Sequence, residues 1–140
     1  MAHDLDRFVA AQADSYAAAL AELRRGAKRG HWMWWVFPQL AGLGLSATSR
    51  FYAIADADEA RAYLAHPLLG ARLMEAAAAV TAAQGSADAI MGSIDAIKLR
   101  SSMTLFAEVA ADPAPFHAVL ERFFGGAADA TTLRLLQPAG

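Results

Sequence analysis

Two short stretches hold the residue types most able to do chemistry. The first runs from Lys28, Arg29, Gly30 and His31 into Trp32, Met33, Trp34, Trp35, Val36, Phe37, Pro38 and Gln39, and it contains every tryptophan of the chain. Cations beside flat aromatic faces suit a nucleotide-like ligand, with phosphate on the cations, a base on an indole, and Gly26 and Gly30 allowing close backbone approach. Lys28, His31, Trp32, Trp34 and Gln39 are therefore candidate ligand-binding residues. A plainer reading stands beside this one. The basic residues between 24 and 29 can serve a helix C-terminus and a solvated loop, while large aromatics fill the core.

The second stretch is Asp95, Lys98, Ser101 and Ser102. Helical spacing puts 95, 98 and 102 on one face, with Ser101 beside Lys98 among apolar neighbours. Either a reactive amine or a plain ion pair fits that arrangement. Under the functional reading, Lys98 grips an anionic group, Asp95 orients it or acts as a base, and Ser101 and Ser102 contribute hydroxyls. The two stretches also contain the chain's only lysines.

The easily read enzyme classes are excluded. His3, His31, His66 and His117 form no metal-ligand spacing, cysteine is absent, and no nucleophile elbow, P-loop or dinucleotide fingerprint occurs. No metal and no cofactor are expected, and His66 before Pro67 reads as a residue that hydrogen-bonds the chain at a helix start. With 12 basic against 14 acidic residues, the overall charge makes no case for nucleic acid or an anionic membrane. The absence of cysteine fits a reducing compartment, no export signal or membrane-spanning run is visible, and the expectation is a cytoplasmic protein.

Helices must position these residues. Leu5, Phe8, Val9, Gln12, Tyr16, Leu20 and Leu23 recur at spacings of three and four, predicting one helix over 4–25, capped by Asp4 and closed by Arg24, Arg25 and Gly26. Residues 30–44 have no decisive period and fit a short buried strand or a buried helical turn, with Pro38 turning Phe37 away from helical angles. Further helices are predicted from Ser46 or Ser49 to 54, over 57–65 behind the Asp56 and Glu59 box, and from Pro67 to about 83, with a short turn to 91 capped by Ser86. Three more follow at 93–111, from Pro113 to 124, and from Asp129 to about 136. Leu99, Met103, Phe106 and Ala110 form one stripe of the 93–111 helix, and Ile94, Ile97, Ser101 and Leu105 form another, which marks a central helix. Alanine fills about a quarter of the chain, so alanine-rich runs are weak helix signals here. The expected architecture is all-α: one compact domain, 1–140, of six to eight short helices around a central helix near 93–111.

Several pieces then resemble one family: Arg7-Phe8 with Ala11-Gln12; Lys28 with His31-Trp32-Met33-Trp34 through Phe37-Pro38-Gln39; Gly42-Leu43-Gly44; Tyr63-Leu64 with His66-Pro67; and Asp95 with Lys98-Leu99 and Ser101-Ser102-Met103-Thr104-Leu105-Phe106. Together they resemble the bacterial and fungal family catalogued as domain of unknown function 1810, along nearly the whole chain. Trp35 departs from the phenylalanine expected there. The resemblance implies a mainly helical domain without an established activity. The calpastatin label carried by some members does not suit a 56% apolar chain without repeats. The order of the C-terminal helices is also faintly similar to that of the small helical NADAR proteins, which act on N-glycosidic bonds of ADP-ribose-like or riboflavin-pathway compounds.

The functional expectation is a domain that binds a nucleotide-like or other anionic small molecule between residues 31–37 and the Lys98 helix, with hydrolysis of an N-glycosidic bond as its enzymatic extension. The alternative is a noncatalytic protein-protein interaction module. Whether the chain is an enzyme, and its oligomeric state, are left open by the residues.

Overall fold

The computed structural model describes residues 4–137, so His3 lies outside the described residues. Ten helices follow one another: α1 (Asp6–Ala13), α2 (Tyr16–Arg25), α3 (Met33–Val36), α4 (Ala47–Phe51), α5 (Ala57–Ala65), α6 (Leu69–Ala82), α7 (Ala87–Met91), α8 (Ser93–Val109), α9 (Ala114–Phe124) and α10 (Ala130–Leu136). The only extended pairing among the described residues is a single parallel bridge between Leu40 and Ile54. The class is all-α as expected, with two more helices than the upper expectation.

The first extra helix arises because the predicted 4–25 helix breaks at Asp14 and Ser15. Ser15 donates its hydroxyl hydrogen to the Ala11 carbonyl and accepts the indole N–H of Trp35, so the local hydroxyl competes with the regular ladder. The predicted stripe survives the break, since Phe8, Gln12, Tyr16, Leu20 and Leu23 are all buried. Asp4 does not cap α1, whose cap position is Leu5 with no side-chain bond. Gly26 closes α2 at φ +75°, a left-handed conformation that a side chain would strain.

The second extra helix is the tryptophan stretch, a single turn that ends where Phe37 leaves helical angles ahead of Pro38. Hydroxyl and carboxylate caps open α4, α5, α7 and α10 at Ser46, Asp56, Ser86 and Asp129. The Glu59 carboxylate accepts the N–H of Ala55, one residue upstream of the Asp56 cap. His66 Nδ1 accepts the N–H groups of Leu68 and Leu69 and so caps the entry to α6.

α8 is the central helix. It packs against α5, α7, α9 and α10, and everything from Ser101 to Ala107 is buried. Its first half behaves differently from the predicted two-faced pattern: Leu105 is fully buried, yet Ile94 and Ile97 on the same stripe are 71% and 66% exposed. In its N-terminal turns only Ala96 is buried before Leu99, and Ile94 and Ile97 form a wall open to solvent. No helix among the described residues is long and apolar enough to cross a membrane.

Candidate functional site

The single turn of α3 sorts the tryptophan stretch into two faces. Trp32, Met33, Val36 and Phe37 fall on the core side and are 0–3% exposed, whereas Trp34 and Trp35 stand half-buried at the edge. The tryptophans thus do not act as a group. Trp32, a candidate ligand residue in the sequence, is 2% exposed and faces the core. Its indole N–H instead donates to Glu22 Oε1 at 2.9 Å.

Glu22 organises the loop that carries the first cation. The same Oε1 accepts the backbone N–H groups of Arg29 at 2.7 Å and Gly30 at 2.8 Å. Partial burial pushes the Glu22 carboxyl up, but the N–H donors of Gly30, Arg29 and Trp32 outweigh it and hold the group below its ordinary range. Gly30 allows this closure, because a Cβ there would lie 2.8 Å from Trp32 Cδ1. Glu22 went unrecognised in the sequence, where it looks like any polar residue on the outer face of α2.

Lys28 then points inward. Its backbone N–H is tied to the Ile90 carbonyl at the end of α7, and its ammonium donates to Gly30 O at 2.6 Å and to Asp95 Oδ2 at 2.8 Å. The Trp32 ring lies 4.9 Å away on another side, and the side chain is only 7% exposed. The other oxygen of Asp95 faces Lys98 Nζ at 3.3 Å, and that ammonium sits 3.9 Å from the centre of the Trp34 ring. The chain's two lysines therefore meet at one carboxylate, joining the loop after α2 to the first turn of α8.

These groups line a cavity of about 380 Å³, with His31, Trp35 and Thr48 completing its polar and aromatic walls. Asp95 neutralises one ammonium, so the chamber keeps about one net positive charge before any contribution from His31. The two cations differ in what they have left to give. Lys28 is committed to Gly30, Asp95 and the Trp32 face, while Lys98 makes one ion pair and keeps N–H hydrogens for a ligand.

A second cavity of about 430 Å³ lies on the far side of the Lys98 and Trp34 pair, and Gln39 and Ser101 line it together with Ile94, Ile97, Asp129 and Thr131. A smaller one of about 200 Å³ shares Trp34 and Gln39 and reaches Arg50 and Tyr52. Of the sequence candidates, Lys28, His31, Trp34, Asp95 and Lys98 thus share the first chamber, and Gln39 and Ser101 share the second with Trp34 and Lys98. Ser102 joins neither: it is fully buried, and its hydroxyl has no hydrogen-bond partner among the described residues. The helical-face argument for Ser102 fails because α8 is enclosed by its neighbours from that point on.

Trp35 is held at both ends. Its indole N–H reaches Ser15 Oγ at 2.8 Å and its carbonyl accepts from Gln12 Nε2 at 2.7 Å, so the tryptophan that stands where phenylalanine was expected makes a bond phenylalanine lacks. No group of three or more acidic or histidine residues among the described residues is placed to hold a metal.

A one-turn aromatic helix facing Lys98 near the start of a central helix defines the class of protein, an all-α domain with an open cationic-aromatic cleft. The family described as protein of unknown function DUF1810 matches residues 2–136, and the chain belongs to it. The fold is also that of the conserved hypothetical protein Rv1873 from Mycobacterium tuberculosis, whose crystal structure aligns with a TM-score of 0.95 at 50% identity over 97% of this chain and 98% of that one. No curated protein matches.

Proposed function

We propose that this domain binds an anionic small molecule carrying a flat ring, a nucleotide-like compound, in the cleft between α3 and the first turns of α8. One observation carries the reading. Lys98 holds its ammonium against the half-buried Trp34 indole with donor capacity to spare, inside a cavity of a size ordinary for small ligands. Lys28 acts as the positioning residue for Asp95, and Asp95 for Lys98.

The enzymatic extension is hydrolysis of an N-glycosidic bond in an ADP-ribose-like compound, with water adding across the bond to free the base and the sugar. Asp95, the carboxylate of the first chamber, would orient the water or steady positive charge developing on the sugar. The faint NADAR similarity supports this extension. The second reading, an interaction module, is favoured by the exposure of Ile94 and Ile97 beside the cleft.

Melting temperature and tryptophan fluorescence against a panel of NAD, ADP-ribose, nucleotides, flavin precursors and sugar phosphates separate the readings, because a ligand that binds only the folded state raises its melting temperature. A concentration-dependent rise that is lost in Trp34→Ala and Lys98→Ala supports the small-molecule site. A flat response across the panel overturns it and leaves the interaction module.

A further inference from the structure

We infer that the ligand is bipartite and straddles the Lys98 and Trp34 pair, with its phosphoryl group in the Lys28 and Asp95 chamber and its hydroxyl-bearing ring in the chamber closed by the start of α10. The inference rests on the binding part of the small-molecule reading above, not on its hydrolytic extension, and adds the orientation and class of the ligand.

Two chambers of about 380 and 430 Å³ share Trp34 and Lys98 as a common wall, so a molecule anchored at Lys98 can extend to either side of it. Their charges differ. The first holds Lys28, Lys98 and His31 against one carboxylate, whereas the second adds Asp129 and no cation beyond the shared Lys98. A phosphoryl group belongs in the first and is repelled from the second.

The second chamber is built to meet hydroxyl and amide groups on a ring. The Gln39 amide and Thr131 hydroxyl make no hydrogen bond to another described residue, and Asp129 uses only Oδ2 in capping α10, through Thr132 N at 2.9 Å and Thr132 Oγ1 at 2.6 Å. Leu43, Ile94 and Ile97 supply the apolar floor on which a ring lies. This wall is held firmly: Arg100 donates to the Ala127 and Ala128 carbonyls, and the Asp129 N–H donates to Thr104 Oγ1 at 2.8 Å. The arrangement also explains why two large apolar side chains stand exposed on α8. They cover one face of the ring.

The test titrates AMP, adenosine and inorganic phosphate calorimetrically into the parent chain and into Lys98→Met, Gln39→Leu, Thr131→Val and Asp129→Asn. AMP is expected to bind at least about tenfold more tightly than either fragment. Gln39→Leu and Thr131→Val weaken AMP and adenosine about tenfold each and leave phosphate unchanged, and Lys98→Met weakens AMP and phosphate by about tenfold or more while sparing adenosine. Asp129→Asn leaves phosphate unchanged. Melting curves verify folding, and Thr131→Val carries the result if Gln39→Leu does not fold. Parent-like AMP binding in both second-chamber variants overturns the inference, as does tighter phosphate binding in Asp129→Asn. So does silence of AMP where another panel compound binds, and in each of these cases the small-molecule reading survives. Silence of every panel compound overturns both.

Discussion

Lys98 and Trp34 touch through charge and π-face, with the ammonium 3.9 Å from the ring centre, and this one contact both divides and links the two chambers of the cleft. Everything that fixes it comes from elsewhere: α3 presents the ring, α8 presents the amine, and Asp95 holds the amine in place while Lys28 holds Asp95.

The two lysines are expected to separate stability from binding. Lys28→Met strips the Gly30 carbonyl and a mostly buried carboxylate oxygen of their donor, and costs about 1–3 kcal/mol. Lys98→Met leaves Asp95 paired with Lys28 and costs less than about 1 kcal/mol, the range of a partly exposed cation-π contact. Urea unfolding of both variants measures the difference, and the reverse order would contradict the assignment of Lys28 as the positioning cation.

Gln12 is buried among polar partners, donating to the Trp35 carbonyl at 2.7 Å and the Tyr63 hydroxyl at 3.1 Å. Gln12→Leu leaves that carbonyl unsatisfied and is expected to destabilise by about 1–3 kcal/mol. Ligand binding in the first chamber also weakens, because Trp35 forms part of its wall. Equilibrium unfolding monitored by fluorescence checks the first effect, and titration of the folded variant checks the second.

Glu22 gives the loop a pH dependence of known sign. Its folded-state carboxyl lies below the ordinary value of 4.5, so its contribution is present above that value and is lost as pH falls through the folded one. Stability of the parent minus that of Glu22→Gln, followed from pH 7 into acid, should therefore shrink below about pH 4.5. A difference that stays constant or grows in acid would show that the three N–H donors do not favour the ionised form.

His66 is expected to matter for stability alone. Removing its Nδ1 acceptor in His66→Ala leaves two backbone N–H groups of the α6 entry uncapped, a loss of about 0.5–2 kcal/mol, and Asn restores most of it. Thermal unfolding of the two variants tests this. A change in ligand affinity in His66→Ala would contradict this, since His66 lines neither chamber.

Much of the helical architecture was legible because it is written locally. The hydroxyl and carboxylate caps at Ser46, Asp56, Ser86 and Asp129 each satisfy an N–H group three residues away, and the spacing of Phe8, Gln12, Tyr16, Leu20 and Leu23 marks a buried stripe whichever partner covers it. Composition alone marked the two stretches that form the cleft, since a run holding every tryptophan and a helix turn holding one of two lysines are unusual in any fold.

What the chain could not state is which face of each stretch looks outward. Trp32 and Trp34 have the same side chain two positions apart, yet one is core and the other is cleft wall, because a single helical turn rotates them to opposite sides of α3. Ser101 and Ser102 are both buried where α5, α9 and α10 close around α8, and only Ser101 reaches the wall of a cavity. The break at Ser15 depends on the Trp35 indole, and the role of Glu22 depends on N–H groups of a distant loop. Residue type and spacing decide which helices form and where charge and aromatic surface are concentrated. Only packing between helices decides which of those side chains meet, because burial and pairing are properties of neighbours brought together from far along the chain.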